Sequence, residues 1–391
     1  MTLRRTSISS GTFLRTLFLY VCFISFGSFL FGQTVSFHGQ ASGWLLSNPD
    51  SAPLSQTGFR YIPEFSLGEK IDSSISADMD ISLNAYAFGN FARNQNPEYQ
   101  KDIKPYRSWL RLASNTFEVR VGLQKINFGS ATLFRPLMWF DKIDPRDPLQ
   151  LTDGVKGLLA RYYLLNNTNI WLWGLYDNND IKGLERTPTT NASFEYGGRF
   201  QVPFFDGEAG LSYHHRNTDI SAIDTILKSG GNKSVPENRF GIDGKWDIGI
   251  GAWFEAVLTH TQTDISGSQY QRQWTLGTDY TLDIGNGLYA LTEFFRSENP
   301  TEAFGRANGA SFSALSMNYP IGIVDKVSGI VYFDWTNRVW YRFINWQRTY
   351  DNWIIYLLAF WNPDTIQLYQ TQSGSNAFAG TGIQLMVVFN H

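Results

Sequence analysis

The chain has 391 residues, 43% of them hydrophobic and 16% aromatic but only 17% charged. Its 32 basic and 35 acidic residues nearly cancel, which excludes nucleic-acid binding through bulk positive charge, and the aromatic content excludes intrinsic disorder. The single cysteine, Cys22, leaves the rest of the chain without a disulfide framework, a cysteine-based zinc site or a catalytic thiol.

Residues 1–32 read as an export signal. Arg4, Arg5 and Arg15 form a basic start with no acid, and Thr16 to Gly32 is apolar or small and uncharged. Cleavage is expected before Gln33, although Leu30 departs from the small-x-small rule. Leu19-Tyr20-Val21 lacks the small pair that a lipidated Cys22 would need. The competing reading is an uncleaved anchor, but about 17 residues is the short limit for a helical span. Cleavage leaves residues 33–391, with 29 basic against 35 acidic residues. No later stretch is long and apolar enough for a spanning helix.

From Thr34 onward the apolar period is two. Phe117, Val119, Val121 and Leu123 alternate with Glu118, Arg120, Gly122 and Gln124. Phe194, Tyr196 and Phe200 alternate with Glu195, Gly197 and Arg199, and Leu211 and Tyr213 with Ser212 and His214. Such alternation makes strands with one apolar and one polar face. About 18 strands are expected (16–18): 34–46, 56–68, 73–89, 105–113, 117–125, 156–164, 169–176, 192–202, 208–216, 238–246, 251–261, 270–282, 287–296, 309–319, 326–335, 339–348, 352–360 and 381–389. Many run about ten residues, the length of a tilted membrane strand rather than of a soluble one.

Short connections such as Ser114-Asn115-Thr116 and Asp247-Ile248-Gly249 alternate with long ones such as 126–155, 177–191 and 217–237, with Thr336-Asn337-Arg338 as an exception. Antiparallel threading puts every second connection at the same end. A soluble sandwich has no reason to keep loop length in step with strand parity, whereas an outer-membrane barrel has short turns at one rim and long loops at the other. In a bilayer, strands satisfy their backbone only as a closed cylinder. The expected fold is therefore all-β, a transmembrane antiparallel barrel over 33–391.

With the apolar face toward lipid, Tyr106, Leu110 and Leu112 point outward. Arg107, Trp109, Arg111, Glu118, Arg120, Arg161, Glu195 and Arg199 point into the lumen, five arginines against two acids. Connection 126–155 holds Asp141, Asp144, Asp147 and Asp153 against Arg135, Lys142 and Arg146, stiffened by Pro136, Pro145 and Pro148. Leu133, Phe134, Leu137, Met138, Trp139 and Phe140 make it too apolar to wave in water, and a 30-residue connection needs a role. One expectation is that its acids face the arginine wall across a constriction, in a transverse field that favours anions. The other is that these charges pair and brace the wall.

The end of the chain resembles the barrel-assembly signal of outer-membrane proteins: Gly382, Leu385, Val387 and Phe389 fit, and Asn390-His391 extends past the usual terminal aromatic. Loop 126–155 looks like the third, inward-folded loop of bacterial porins. The run Gly122-Leu123-Gln124 into a loop closing on Asp153-Gly154 is similar to porin-like families, alginate-export-type 18-stranded barrels among them. The resemblance covers roughly residues 117–163 and the overall layout. It implies a porin-like channel in the cell outer membrane for small polar, including anionic, solutes or oligosaccharides. The partners it implies are outer-membrane lipid, the barrel-assembly machinery and the solute, with homo-oligomer or monomer left open, no nucleic acid and no cofactor. The alternative is a structural or export-associated barrel with no open pore. A TonB-dependent transporter would need a plug domain, for which a first strand at Thr34 leaves no room. A barrel hydrolase is the remaining class, but His38, His214, His215, His260 and His391 show no triad or metal spacing, and adjacent His214 and His215 must face opposite sides. Asp177-Asn178-Asn179-Asp180 could touch calcium, though a solvated loop tip is the plainer reading.

Overall fold

The computed structural model describes residues 34–49, 54–92, 95–222, 233–263, 269–364 and 378–391. The expected export signal and its cleavage point lie outside the described residues. Eighteen strands run in chain order: β1 (Thr34–Ser47), β2 (Ser55–Lys70), β3 (Ile75–Phe91), β4 (Glu98–Ser114), β5 (Phe117–Gln124), β6 (Val155–Tyr163), β7 (Asn169–Tyr176), β8 (Phe194–Phe204) and β9 (Gly207–Asp219). Then follow β10 (Ser234–Asp247), β11 (Gly251–Thr261), β12 (Tyr270–Leu282), β13 (Leu288–Glu298), β14 (Gly309–Pro320), β15 (Asp325–Asp334), β16 (Val339–Tyr350), β17 (Trp353–Trp361) and β18 (Thr381–Asn390). Each pairs antiparallel with its neighbours, and β1 pairs with β18 from Gln40↔Asn390 to Ser47↔Ile383, so no edge is left.

Burial follows the alternation. Phe194 and Phe200 are 56% and 46% exposed on the outside, while Glu195 and Arg199 between them are each 4% exposed inside. Leu211, Phe240 and Ile242 likewise face out, against Ser212, Arg239 and Asp243. A soluble sheet would reverse this, so the apolar exterior requires lipid as its solvent. Aromatics such as Trp335, Trp340, Trp353, Trp361 and Tyr350 lie at strand ends on this outer face, where amphipathic rings suit a membrane interface.

Connection lengths alternate as expected. One rim carries the tight turns, two residues at 115–116, 205–206 and 351–352 and five at most, and the other carries 125–154 and 177–193. The β4 strand departs from expectation by starting at Glu98, and β3 and β4 continue their ladder to Asn90↔Glu98. In the run Glu98–Lys104 a lysine, Lys101, interrupts the outward Tyr99 and Ile103, which weakens the alternation signal although the backbone still pairs. Tyr106, expected to point to lipid, is an extra residue. Ser82 pairs Arg107 and Leu83 pairs Pro105, which leaves Tyr106 in a bulge that shifts the outward phase from Ile103 and Pro105 to Leu110 and Leu112.

The core lies inside the barrel. One buried cluster joins Leu133 and Phe134 of the 125–154 connection to Leu291, Phe295, Phe312, Tyr332, Phe343 and Phe360 on β13–β17. A second joins Ile126, Phe128, Leu137, Trp139 and Phe140 to Val155, Leu159, Trp173, Leu175 and Val257. The lumen of β13–β17 is thus largely apolar where the loop covers it.

Candidate functional site: a loop clamped across the lumen

The 125–154 loop crosses the lumen twice. Its first leg leaves β5 and reaches β11–β13, where two wall carboxylates take its backbone N–H groups. Glu293 accepts from Thr132 at 2.6 Å, Leu133 at 2.9 Å and Phe134 at 2.6 Å, and from the Trp253 indole at 3.0 Å. Glu255 accepts from Ala131 at 2.7 Å and Leu137 at 3.1 Å. Between them the Thr275 hydroxyl donates to the Phe134 carbonyl at 2.8 Å. Consecutive N–H groups form an anion-holding nest, here filled by a side chain of the opposite wall. Gly129 permits the approach: its φ is +99°, and a Cβ there would overlap Glu255 Oε1. Phe134 then stacks on Phe295, with centroids 5.4 Å apart.

The loop turns back through Leu137–Phe140, which pack around His214 and Trp173. The second leg carries Arg146 over the Phe343 ring at 5.7 Å and Leu149 into the Trp44, Tyr356 and Met386 cluster. It ends at Asp153, which pairs with Lys104 of β4 at 2.6 Å. Gln124, fully buried at the loop's origin, donates to the carbonyls of Arg120 and Gly157 and ties β5 to β6.

The expected site residues sort into two groups. On the wall, Arg111 pairs with Asp78 at 2.7 Å, and Glu118 serves both Arg120 at 3.1 Å and Arg161 at 3.5 Å. Arg120 lies 4.6 Å over the Trp109 ring and Arg161 3.8 Å over Trp171. Arg199 is bound to Asp243, and Glu195 accepts from His214 Nε2 at 3.1 Å. The Trp173 indole donates to His214 Nδ1, which leaves Nε2 as the donor to Glu195. In the loop, Arg135 pairs with Asp141 at 3.2 Å and Arg146 with Asp144 at 2.6 Å. Asp147 accepts from the Leu149 N–H, and burial pushes its carboxyl above the ordinary range. Lys142 donates its backbone N–H to Thr152, and Arg107 reaches the loop through the Thr152 carbonyl at 3.0 Å. Asp141, Asp144 and Asp153 thus find their bases in the loop itself or at Lys104, while Arg111, Arg120, Arg161 and Arg199 find their acids on the wall.

Two features escaped the sequence reading. Glu255 and Glu293 looked like ordinary lumen-facing members of an alternating strand. At the long-loop rim, Glu185 of the 177–193 connection joins Arg216, Glu237 and Arg239 in a buried four-charge cluster, with pairs at 2.7–3.0 Å. The same connection carries Asp177–Asp180. There the Lys182 ammonium, its pKa lowered by burial, donates to the Asn178 and Asp180 carbonyls at 2.9 Å each, so a cation already occupies that turn. His214 and His215 face opposite sides as expected, His214 inward and His215 bound to Asn238. Among the described residues no cluster of His, Cys, Asp or Glu could hold a metal.

At the barrel seam, Gly382, Leu385, Val387 and Phe389 sit on the closing strand β18, with Leu385, Val387 and Phe389 paired to Leu45, Gly43 and Ala41.

A closed 18-stranded cylinder with an apolar exterior and one long loop folded across its lumen has the architecture of an outer-membrane porin. A solved structure agrees at the level of fold. The chain is similar to OccAB1 of Acinetobacter baumannii, with 9% identity over 92% of this chain and 95% of that one and a TM-score of 0.56. An anion-selective porin of Comamonas acidovorans aligns with 11% identity over 92% and 100% and a TM-score of 0.49. OmpF of Salmonella typhi, in complex with daunomycin, aligns with 12% over 92% and 98% and a TM-score of 0.48. No protein-family model matches the chain, and no curated protein matches it by sequence.

Proposed function

We propose that the barrel is a passive channel for small polar solutes, narrowed by loop 125–154. The observation that carries this reading is the clamp. A loop held to the far wall by Glu255 and Glu293 divides the lumen and leaves, between its two legs and β13–β17, a cavity of about 420 Å³ lined by both. Strands closed into a ring have no need to bury a loop inside unless the passage is to be made smaller.

Anions are the favoured ions. Among the described residues facing the lumen, Arg60, Arg107, Lys125 and Lys142 have no ion-pair partner, and Arg60 instead lies 5.6 Å over both Trp44 and Tyr86. Burial lowers the pKa of Lys125, as expected for a cation held inside the lumen mouth. Against them, among the described residues, Glu64, Asp80 and the loop's Asp147 have no ion-pair partner, and Glu255 and Glu293 are taken up by the loop's N–H groups. Reversal potentials in a potassium chloride gradient across planar bilayers test this. Anion preference is expected; cation preference overturns the selectivity, and absence of any conductance overturns the channel in favour of a structural or export-associated barrel.

A further inference from the structure

The cavity beside the loop is lined on its wall side by uncharged polar groups in register. Tyr289 pairs with Asn318, Asn318 with Ser328 and Ser328 with Asn345, so one lateral row on β13–β16 points to a single face. Among the described residues the Asn318 and Asn345 carboxamides have no hydrogen-bond partner, and Asn345 Oδ1 is covered and unsatisfied. Leaving such a group unmade is costly unless something completes it. One step deeper into the barrel the lining turns apolar, with Leu133, Ile330 and Leu358.

Charge is scarce here. Arg135 and Arg146 are neutralised by Asp141 and Asp144 within the loop, and burial favours the neutral form of Asp147. Lys326 is the one lining cation without an ion pair among the described residues. Asn318 and Asn345 stand two strands apart, about 10 Å, with the Ser328 hydroxyl between them. Groups so spread are matched by hydroxyls distributed along a solute, not by one charged head group. The apolar ledge above suits the C–H face of a pyranose ring.

We propose that the Asn318–Ser328–Asn345 row is a binding subsite for an uncharged polyhydroxylated solute, of mono- to disaccharide size, held in transit beside the loop. The volume lies in the range that encloses small ligands. That the solute is in transit rests on the channel reading; that it binds does not.

The test titrates the purified full chain in detergent with maltose and with gluconate by calorimetry, and records ion current in planar bilayers with the same solutes. Maltose is expected to bind in the millimolar range and to interrupt the current. The N318A/N345A variant is expected to bind it about tenfold more weakly or worse, the loss of two modest hydrogen bonds. N318A alone, which keeps the buried Asn345, is expected to weaken binding in the same direction. Conductance without maltose binding overturns the subsite and leaves the channel standing. Maltose binding without conductance leaves the subsite standing and overturns the channel. Binding unaffected by either substitution, or gluconate bound more tightly than maltose and lost in K326M, overturns the proposal, the last in favour of an anion site.

Discussion

Glu293 on β13 accepts the backbone N–H of Phe134 at 2.6 Å, with Thr132 and Leu133 held by the same carboxylate. Three charge-assisted bonds fix the tip of a loop whose side chains then bury against the aromatic wall. Glu293→Gln keeps size and shape but loses the charge, and half of the amide presents N–H to N–H. Hydrogen bonds to charged groups contribute about 1.5–3 kcal/mol each, so the clamp loses several kcal/mol of gross interaction. The expected result is a barrel that still folds but shows larger and noisier single-channel conductance. A variant with wild-type conductance would show that the aromatic packing alone holds the loop.

Gly129 is the hinge that lets this clamp form. Its φ of +99° and the overlap of any Cβ with Glu255 leave alanine no unstrained solution. Gly129→Ala is expected to cost about 1–3 kcal/mol through backbone strain alone, and to move the loop away from Glu255. Denaturation of the detergent-solubilised barrel should register the loss, and conductance should change in the same direction as in Glu293→Gln. Gly322→Ala, in an open turn with nothing within 4 Å of its Cβ position, is the matched control and should change neither.

Most of the barrel was legible because lipid and water impose opposite demands on alternate residues, and β8 obeys them residue by residue. The strand ends were not, since beyond the bilayer both faces are wet and in Glu98–Lys104 the outward Lys101 breaks the apolar row of Tyr99 and Ile103. The inward loop could be foreseen from Leu133–Phe140, but its anchors could not, because a carboxylate that will receive backbone N–H groups looks like any lumen residue. One missed signal was available. The β17 sequence WIIYLLAFW is apolar on both faces, and a barrel strand of that kind declares that its inner face is covered by protein. The amide row was hidden for a different reason: it exists only once the registers of β13 to β16 bring Tyr289, Asn318, Ser328 and Asn345 level.

Acid should loosen the 177–193 connection first. Asp177 accepts from the Ala192 N–H at 3.2 Å and pairs with Lys156 at 3.2 Å, and these hold its carboxyl below the ordinary 3.8. A carboxyl held down in the fold stabilises it above the unfolded value, and that contribution disappears as pH falls through the lowered one. The expected outcome is faster backbone amide exchange at Ala192 as the pH drops below 3.8, at a pH where the strands remain protected. Asp177→Asn should show the loosened state already at neutral pH and lose the acid step. Exchange at Ala192 that is flat across this window would show that the Lys156 and Ala192 contacts do not hold the loop.

The last residue tests the seam. His391 exchanges backbone hydrogen bonds with Gly39 at 2.9 and 3.0 Å, and its ring meets the Tyr61 hydroxyl at 3.0 Å and lies 6.0 Å from Phe389. It therefore extends the β1–β18 ladder by one pair beyond Gln40↔Asn390, and a side chain at position 39 would collide with it. Removing Asn390 and His391 deletes that pair, the Gln40–Asn390 side-chain bond at 3.1 Å and the aromatic contact. At about 1 kcal/mol per net hydrogen bond the loss is a few kcal/mol, concentrated at the one seam that must close last in a single-chain ring. The truncated chain is expected to give a smaller folded fraction after refolding into detergent, read as heat-modifiable mobility on a gel, with strand content unchanged in the part that folds. His391→Phe, which restores a terminal aromatic and keeps the backbone pair, should recover most of the yield, whereas Gly39→Leu should lower it by forcing His391 out. Equal yields for all three would show that closure is complete before the terminal residue is reached.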